Sequence, residues 1–124
     1  MDVKRNVIEA AISLATNVFN VWSRHGAVIF TDNKILGRGY NRKYSGEMQK
    51  HFTIHAEADA LGKAFHKHNI DEIVGAYCLV IRLNKSGNLT NSKPCPDCQA
   101  MLREFGIKKV FYSTTGGEIM EMKL

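Results

Sequence analysis

The sequence is poor in several features, and each shortage excludes a class of protein. Its three cysteines, Cys78, Cys95 and Cys98, do not make a disulfide framework, which points to a reducing, intracellular setting. No apolar run is long enough to span a bilayer. The first residues read as an amphipathic helix containing Asp2 and Glu9, where a secretory leader would have an uninterrupted apolar centre. The expected location is therefore cytoplasmic, with the nucleus as the alternative, and no membrane partner is expected. There is no internal repeat, linker or low-complexity segment. Hydrophobic residues at 44% and charged residues at 23% are globular values, and nothing in them suggests disorder. The 124 residues fit one domain, 1–124.

Acidic residues are also in short supply, with 12 Asp and Glu against 17 Lys and Arg, for a net charge of +5. That balance suits a phosphate-bearing partner, either a nucleotide or a polynucleotide, although a merely solvated basic surface would give the same count.

Taken in order, residues 2–20 carry Val3, Val7, Ile8, Ala11, Leu14, Ala15, Val18 and Phe19 at helical spacing, which predicts a core-covering helix. Trp22 is expected to pack at its end rather than serve as a base-stacking platform. The runs 26–31 and 34–40 read as strands joined by a tight Asp32-Asn33 turn. Asn41 follows at a strand end, where its amide suits a sugar hydroxyl or a base edge as well as it suits capping its own loop. Residues 42–54 form a polar, basic loop expected to border a site mouth, with His51 a surface or substrate-edge residue. A helix is expected from His55 to about His66, with His66, Lys67 and His68 complementing its C-terminal dipole. A strongly apolar strand covers 75–83, and Leu89-Thr90 pairs back after a turn. Pro96-Asp97 starts a second helix over 97–105, closed by Gly106. The strands 109–114 and 118–123 flank the Thr115-Gly116-Gly117 turn.

Chemistry concentrates in two stretches, His55-Ala56-Glu57 and Pro94-Cys95-Pro96-Asp97-Cys98. One imidazole and two thiolates leave a tetrahedral zinc with one position open to water, as a catalytic site requires. Glu57, two positions past His55, can face that position without binding the metal and carry protons. Alone, the Cys-x-x-Cys pair is equally a redox motif or half of a structural zinc ribbon. A structural site takes four protein ligands, and Cys78 sits inside the apolar run Tyr77–Ile81. Metal at His55 is also set against His51, four residues earlier, which three ligands and a water make superfluous.

The arrangement H-x-E…P-C-x-x-C is the signature of the zinc deaminases, and with Gly39-Tyr40-Asn41 the chain resembles the cytidine deaminase superfamily over nearly its whole length. The resemblance implies an α/β fold, a single three-layer domain with a mixed sheet of about five strands and helices on both faces. It implies Zn2+ held by His55, Cys95 and Cys98, and proton transfer by Glu57. It places Asn41 against the substrate and the backbone of Ala56 on the pyrimidine carbonyl, with Tyr40 and Pro94 as further substrate contacts. A homo-oligomer is implied by analogy only.

Two features divide the subgroups. His-Ala-Glu, where free-nucleoside enzymes usually have Cys-Ala-Glu, resembles the deoxycytidylate, tRNA-adenosine and polynucleotide cytosine deaminases. Those groups add a helix and a parallel fifth strand, and such a crossover takes a dozen or more residues. Only residues 114–124 follow Ser113, so the last strand is expected to return antiparallel, as in the free-nucleoside branch. The 42–54 loop also lacks the longer insertion typical of deoxycytidylate deaminases. The leading expectation is zinc-dependent hydrolytic deamination of a cytosine nucleoside or nucleotide. Its alternatives are deamination of single-stranded DNA or RNA, tRNA included, and a non-catalytic zinc-stabilised binding module.

Overall fold

The computed structural model describes residues 3–18, 23–43 and 53–124. Trp22, His51 and most of the basic loop, singled out above, lie outside the described residues. The first helix, α1, runs Arg5–Thr16 and is shorter than the apolar period suggests. At its end Thr16 Oγ1 and Asn17 Nδ2 donate to the carbonyls of Ile12 and Ser13, the latter also accepting the Asn17 N–H.

Strands β1 (Arg24–Phe30) and β2 (Ile35–Tyr40) form the expected antiparallel hairpin. Thr31 Oγ1 accepts from the N–H groups of Asn33 and Lys34 in its turn. Two short strands were not anticipated: β3 (Arg42–Lys43) pairs with β4 (Thr53–Ile54). Helix α2 spans Ala56–Lys67, and a one-turn helix, α3 (Ile70–Ile73), follows. The Asn69 side chain accepts from the Glu72 N–H at 3.1 Å and caps that turn. Strand β5 (Tyr77–Leu83) and the short β6 (Leu89–Thr90) precede helix α4 (Pro96–Glu104), and β7 (Lys109–Ser113) and β8 (Ile119–Lys123) complete the chain.

The six-stranded sheet runs β2-β1-β5-β7-β8, with β6 also paired to β5. Strands β5 and β7 are parallel, with α4 in the crossover, and β8 returns antiparallel to β7. The antiparallel last strand and the mixed sheet with helices on both faces agree with the sequence expectation.

Strand β5 lies in the middle and is covered on both sides, which is why Tyr77–Ile81 is an unbroken apolar run. Leu79 and Ile81 pack towards Val7, Ala11 and Ala15 of α1. Cys78 and Val80 pack towards Ala56, Ala60, Leu61 and Ala64 of α2 and Leu102 of α4. Helix α2 lies almost on the backbone of β2: a Cβ at Gly39 would collide with the Ala60 N–H and sit 2.6 Å from the Ala56 carbonyl oxygen. Gly39→Ala must therefore lift the start of α2 off the sheet. It is expected to cost roughly 1–3 kcal/mol, the usual penalty for overpacking, read as a lower urea midpoint at unchanged slope.

Candidate active site

The two chemical stretches meet because each opens a helix on the same face of the sheet. His55 is the N-cap of α2 and Cys95 the N-cap of α4. Pro96, with no N–H to satisfy, occupies the first turn. The Cys98 N–H donates to Cys95 Sγ at 3.5 Å, so a single turn brings both sulfurs to one side. Gln99 Nε2 donates to the Pro94 carbonyl at 2.8 Å and holds the approach to the turn.

His55 Nδ1 lies 3.2 Å from Cys98 Sγ and 4.0 Å from Cys95 Sγ. All three ligand atoms fall within 4.8 Å of one another. A tetrahedral zinc with ordinary Zn–S and Zn–N bonds separates its ligand atoms by about 3.5–3.8 Å, so the donor set fits that ion. His55 is exposed and Cys98 buried, leaving the group open on one side. Among the described residues no fourth side chain joins it. Cys78 is fully buried core, and burial pushes its thiol well up.

Cys98 departs from one expectation. A helix N-terminus favours thiolate, yet burial, and then the nearby Glu57 carboxylate, push the Cys98 thiol up. A thiolate here needs a cation beside it, which is what a zinc ion supplies.

Glu57 sits in the first turn of α2 at 4% exposure. Burial raises its carboxyl above the ordinary glutamate range, while its own N–H, the charge of His55 and a hydrogen bond with Cys98 pull the other way. A glutamate so placed holds its proton to higher pH than a solvated one, the direction proton shuttling near neutrality requires.

The other sequence candidates divide. The Asn41 side chain accepts from the His25 N–H at 2.7 Å and donates to the Ser23 carbonyl at 2.6 Å, tying the end of β2 to the start of β1. That leaves one of its N–H groups and one lone pair uncommitted. The Tyr40 N–H donates to Asp59, and its ring lies under Lys63 at 5.1 Å and Arg42 at 5.9 Å. Pro94 is buried in the turn before Cys95.

Sequence reasoning missed Asp59 and the Ser92–Ser113 pair. Asp59 is buried, accepts from Tyr40, and pairs with Arg42 at 2.7 Å and Lys63 at 3.0 Å. The Lys63 partner, four residues along the same helix, was the signal available. Ser92 Oγ donates to the Val80 carbonyl and accepts from the Ser113 N–H, both at 2.7 Å. Ser113 Oγ donates to the Thr90 carbonyl at 2.7 Å. These bonds pin the chain three residues before Cys95 to the ends of β5 and β7.

A model of the cytidine and deoxycytidylate deaminase zinc-binding region matches residues 1–114. The chain belongs to this deaminase family. Zinc is accordingly its cofactor and hydrolytic deamination its reaction class. No curated protein matches the sequence.

Among solved structures it is similar to the apo dCMP deaminase of the cyanophage S-TIM5, at 26% identity and TM-score 0.66, over 90% of this chain and 86% of that one. The same phage enzyme in complex with dCMP and dUMP matches at 26% identity and TM-score 0.60, covering 94% and 90%. The cytidine deaminase of Burkholderia pseudomallei shares the fold at 19% identity and TM-score 0.72, over 98% and 93% of the two chains.

One titration near the site has a consequence for stability. Burial, with help from the Arg82 charge, pushes His25 down from 6.5 to about 4. Between those values the unfolded chain protonates His25 and the folded chain does not. Unfolding therefore takes up a proton, and stability falls as pH drops through this window, by up to about 3 kcal/mol. His25→Gln is expected to flatten that part of the stability profile of zinc-free protein, measured as urea midpoints from pH 7 to 4. An unchanged slope would contradict a buried, neutral His25.

Proposed function

We propose that this deaminase converts a cytosine nucleoside or nucleotide and water into the uracil product and ammonia. The observation that carries this reading is Glu57, a buried carboxyl beside three converging ligands and not one of them, for which a purely structural zinc site has no use. His55, Cys95 and Cys98 hold the zinc. When bound, zinc acts as a Lewis acid that brings the pKa of water near neutrality.

The remaining steps belong to the chain. Glu57 takes a proton from the attacking water, passes it to the ring nitrogen as the oxygen adds to the carbon bearing the amine, and delivers a proton to the departing ammonia. The Ala56 N–H, in the first turn of α2, has no intrahelical carbonyl to serve and is the donor for the pyrimidine carbonyl. Asn41 offers its remaining donor and lone pair to the sugar, and Tyr40 and Pro94 shape the pocket beside them. Support for the pyrimidine comes from the family and from the phage dCMP deaminase, whose structure holds dCMP and dUMP.

One observation favours a second reading, deamination of single-stranded nucleic acid. A cleft of about 730 Å³ beside α2 has Arg38, Arg42, Lys63, His66 and Lys67 among its lining residues, with Leu14, Leu36 and Ile54. Asp59 pairs with two of these cations, which weakens the cleft as a phosphate track.

The test is ammonia release from cytidine, deoxycytidine, their monophosphates, single-stranded DNA and tRNA. Turnover of the small substrates with little salt dependence is the expected result. Turnover confined to polynucleotides, with affinity falling steeply as salt rises, would transfer the assignment to the second reading.

A further inference from the structure

Of the four buried polar side chains among the described residues, two are Glu57 and Asp59, and the other two are Ser92 and Ser113. The serines carry no charge and supply no metal ligand. They sit where the sheet forks. Strands β5 and β7 are paired in parallel as far as Val80 and Tyr112. Beyond that point β5 takes β6 as its neighbour, with Arg82 opposite Thr90 and Leu83 opposite Leu89.

The chain leaving β6 enters the fork, and Ser92 spans it. Its Oγ donates to the Val80 carbonyl and accepts from the Ser113 N–H, both at 2.7 Å, while its own N–H donates to the Ser113 carbonyl at 3.0 Å. A β5 carbonyl and a β7 N–H, groups that a parallel ladder joins directly, are here joined through one hydroxyl. Ser113 Oγ completes the set, donating to the Thr90 carbonyl at 2.7 Å and accepting from the Arg82 N–H at 3.2 Å. Two hydroxyls 2.9 Å apart thus serve two carbonyls and two N–H groups. Burying a hydroxyl is costly unless it is bonded, so the set is stable with Ser92 in one place only.

From Ser92 the path to the metal ligands is short and has little freedom. Asn91 Oδ1 accepts the Lys93 N–H at 3.2 Å. Pro94 has its φ fixed by the ring, and its carbonyl accepts from Gln99 Nε2 at 2.8 Å. The Cys95 carbonyl accepts the Gln99 N–H at 2.9 Å. Helix α4 therefore holds Cys95 against Cys98, its neighbour on the same turn. It does not hold Cys95 against His55, which belongs to α2. The contact of Ser92 with the sheet does.

We propose that Ser92 is a positioning residue of the metal centre: its hydroxyl, set between Val80 and Ser113, fixes where the chain leaves the sheet and so holds Cys95 Sγ within ligand distance of His55. Ser92 touches neither metal nor substrate and acts through Cys95. Residues that orient ligands in this indirect way govern metal affinity strongly. The inference rests on the zinc assignment and is independent of which substrate is deaminated.

The experiment compares Ser92→Ala with Ser113→Ala in the full chain. Ser113→Ala also strips two buried backbone groups of a partner, the Thr90 carbonyl and the Arg82 N–H, but leaves the Ser92 bonds to Val80 and to the Ser113 N–H in place. Zinc affinity is measured by competition with a chelator, and urea midpoints report stability. The sulfur-to-metal absorption of the cobalt(II)-loaded protein reports ligand geometry. Ser92→Ala is expected to weaken zinc binding by about tenfold or more and to alter the cobalt spectrum, whereas Ser113→Ala stays within about threefold with the native spectrum. Both should lower the urea midpoint of zinc-free protein. Ser92→Thr, which keeps the hydroxyl, should recover zinc binding.

Equal zinc losses in the two alanine variants would reduce both serines to general supports of the fold and overturn the inference. So would native affinity and spectrum in Ser92→Ala, or a Ser92→Ala chain that cannot fold even with zinc. Those results leave the deaminase reading standing. A native chain that takes up no zinc would instead bring down the ligand assignment and this inference together.

Discussion

Glu57→Ala is expected to bind zinc at full stoichiometry and to lose at least about 3 kcal/mol of transition-state stabilisation, roughly a hundredfold in kcat/KM. The carboxyl is buried, lies in the first turn of α2, and has a proton affinity raised by that burial. None of the three converging ligand atoms belongs to it, so its removal leaves the metal's own bonds in place. The measurement is a steady-state rate alongside zinc analysis of the same preparation. Near-normal turnover at full zinc occupancy would remove Glu57 from the proton path.

A companion variant separates catalysis from folding. Glu57→Gln keeps the shape but cannot ionise. Because the folded-state carboxyl is raised, ionising it opposes folding as pH climbs above the ordinary glutamate range. In the zinc-free protein Glu57→Gln is therefore expected to be at least as stable as the native chain at neutral pH. A marked loss of stability would mean that the carboxylate supports the fold.

Cys95→Ser is expected to abolish stable zinc binding. A structural zinc site is worth about 10–16 kcal/mol at neutral pH, so losing one of three protein ligands should cost roughly 4 kcal/mol, on the order of a thousandfold in affinity. Cys95 is also the N-cap of α4, its sulfur accepting the Cys98 N–H. Serine is a competent N-cap, so the helix should survive while the metal is lost. Zinc content after dialysis against a chelator, with circular dichroism as the control for folding, reads the two effects apart. Full zinc occupancy in Cys95→Ser would contradict the ligand assignment.

Legibility in the sequence followed the range of the interactions. Helices α2 and α4, the β1–β2 hairpin and the antiparallel return of β8 were readable because each is set within a dozen residues by periodicity, turn chemistry or chain length. Helix α1 was overextended because its apolar spacing continues past Thr16, whereas the helix closes there, the Val18 N–H returning to the Ala15 carbonyl. The β3–β4 pair went unseen since two-residue strands have no period to detect.

The same division runs through the site. Residue types and spacing alone named the imidazole, the two sulfurs and the acid, because metal coordination demands particular atoms and a helical turn fixes where neighbours two or three positions apart will point. Only the folded chain decided what surrounds them: the depth at which Glu57 and Cys98 are buried, the commitment of Asn41 to Ser23 and His25, and the anchoring of Ser92 to Val80 and Ser113. The hydrogen bonds among them join residues 12 to 21 apart in the chain, and desolvation belongs to the assembled surroundings of a group, so no local pattern of letters records it.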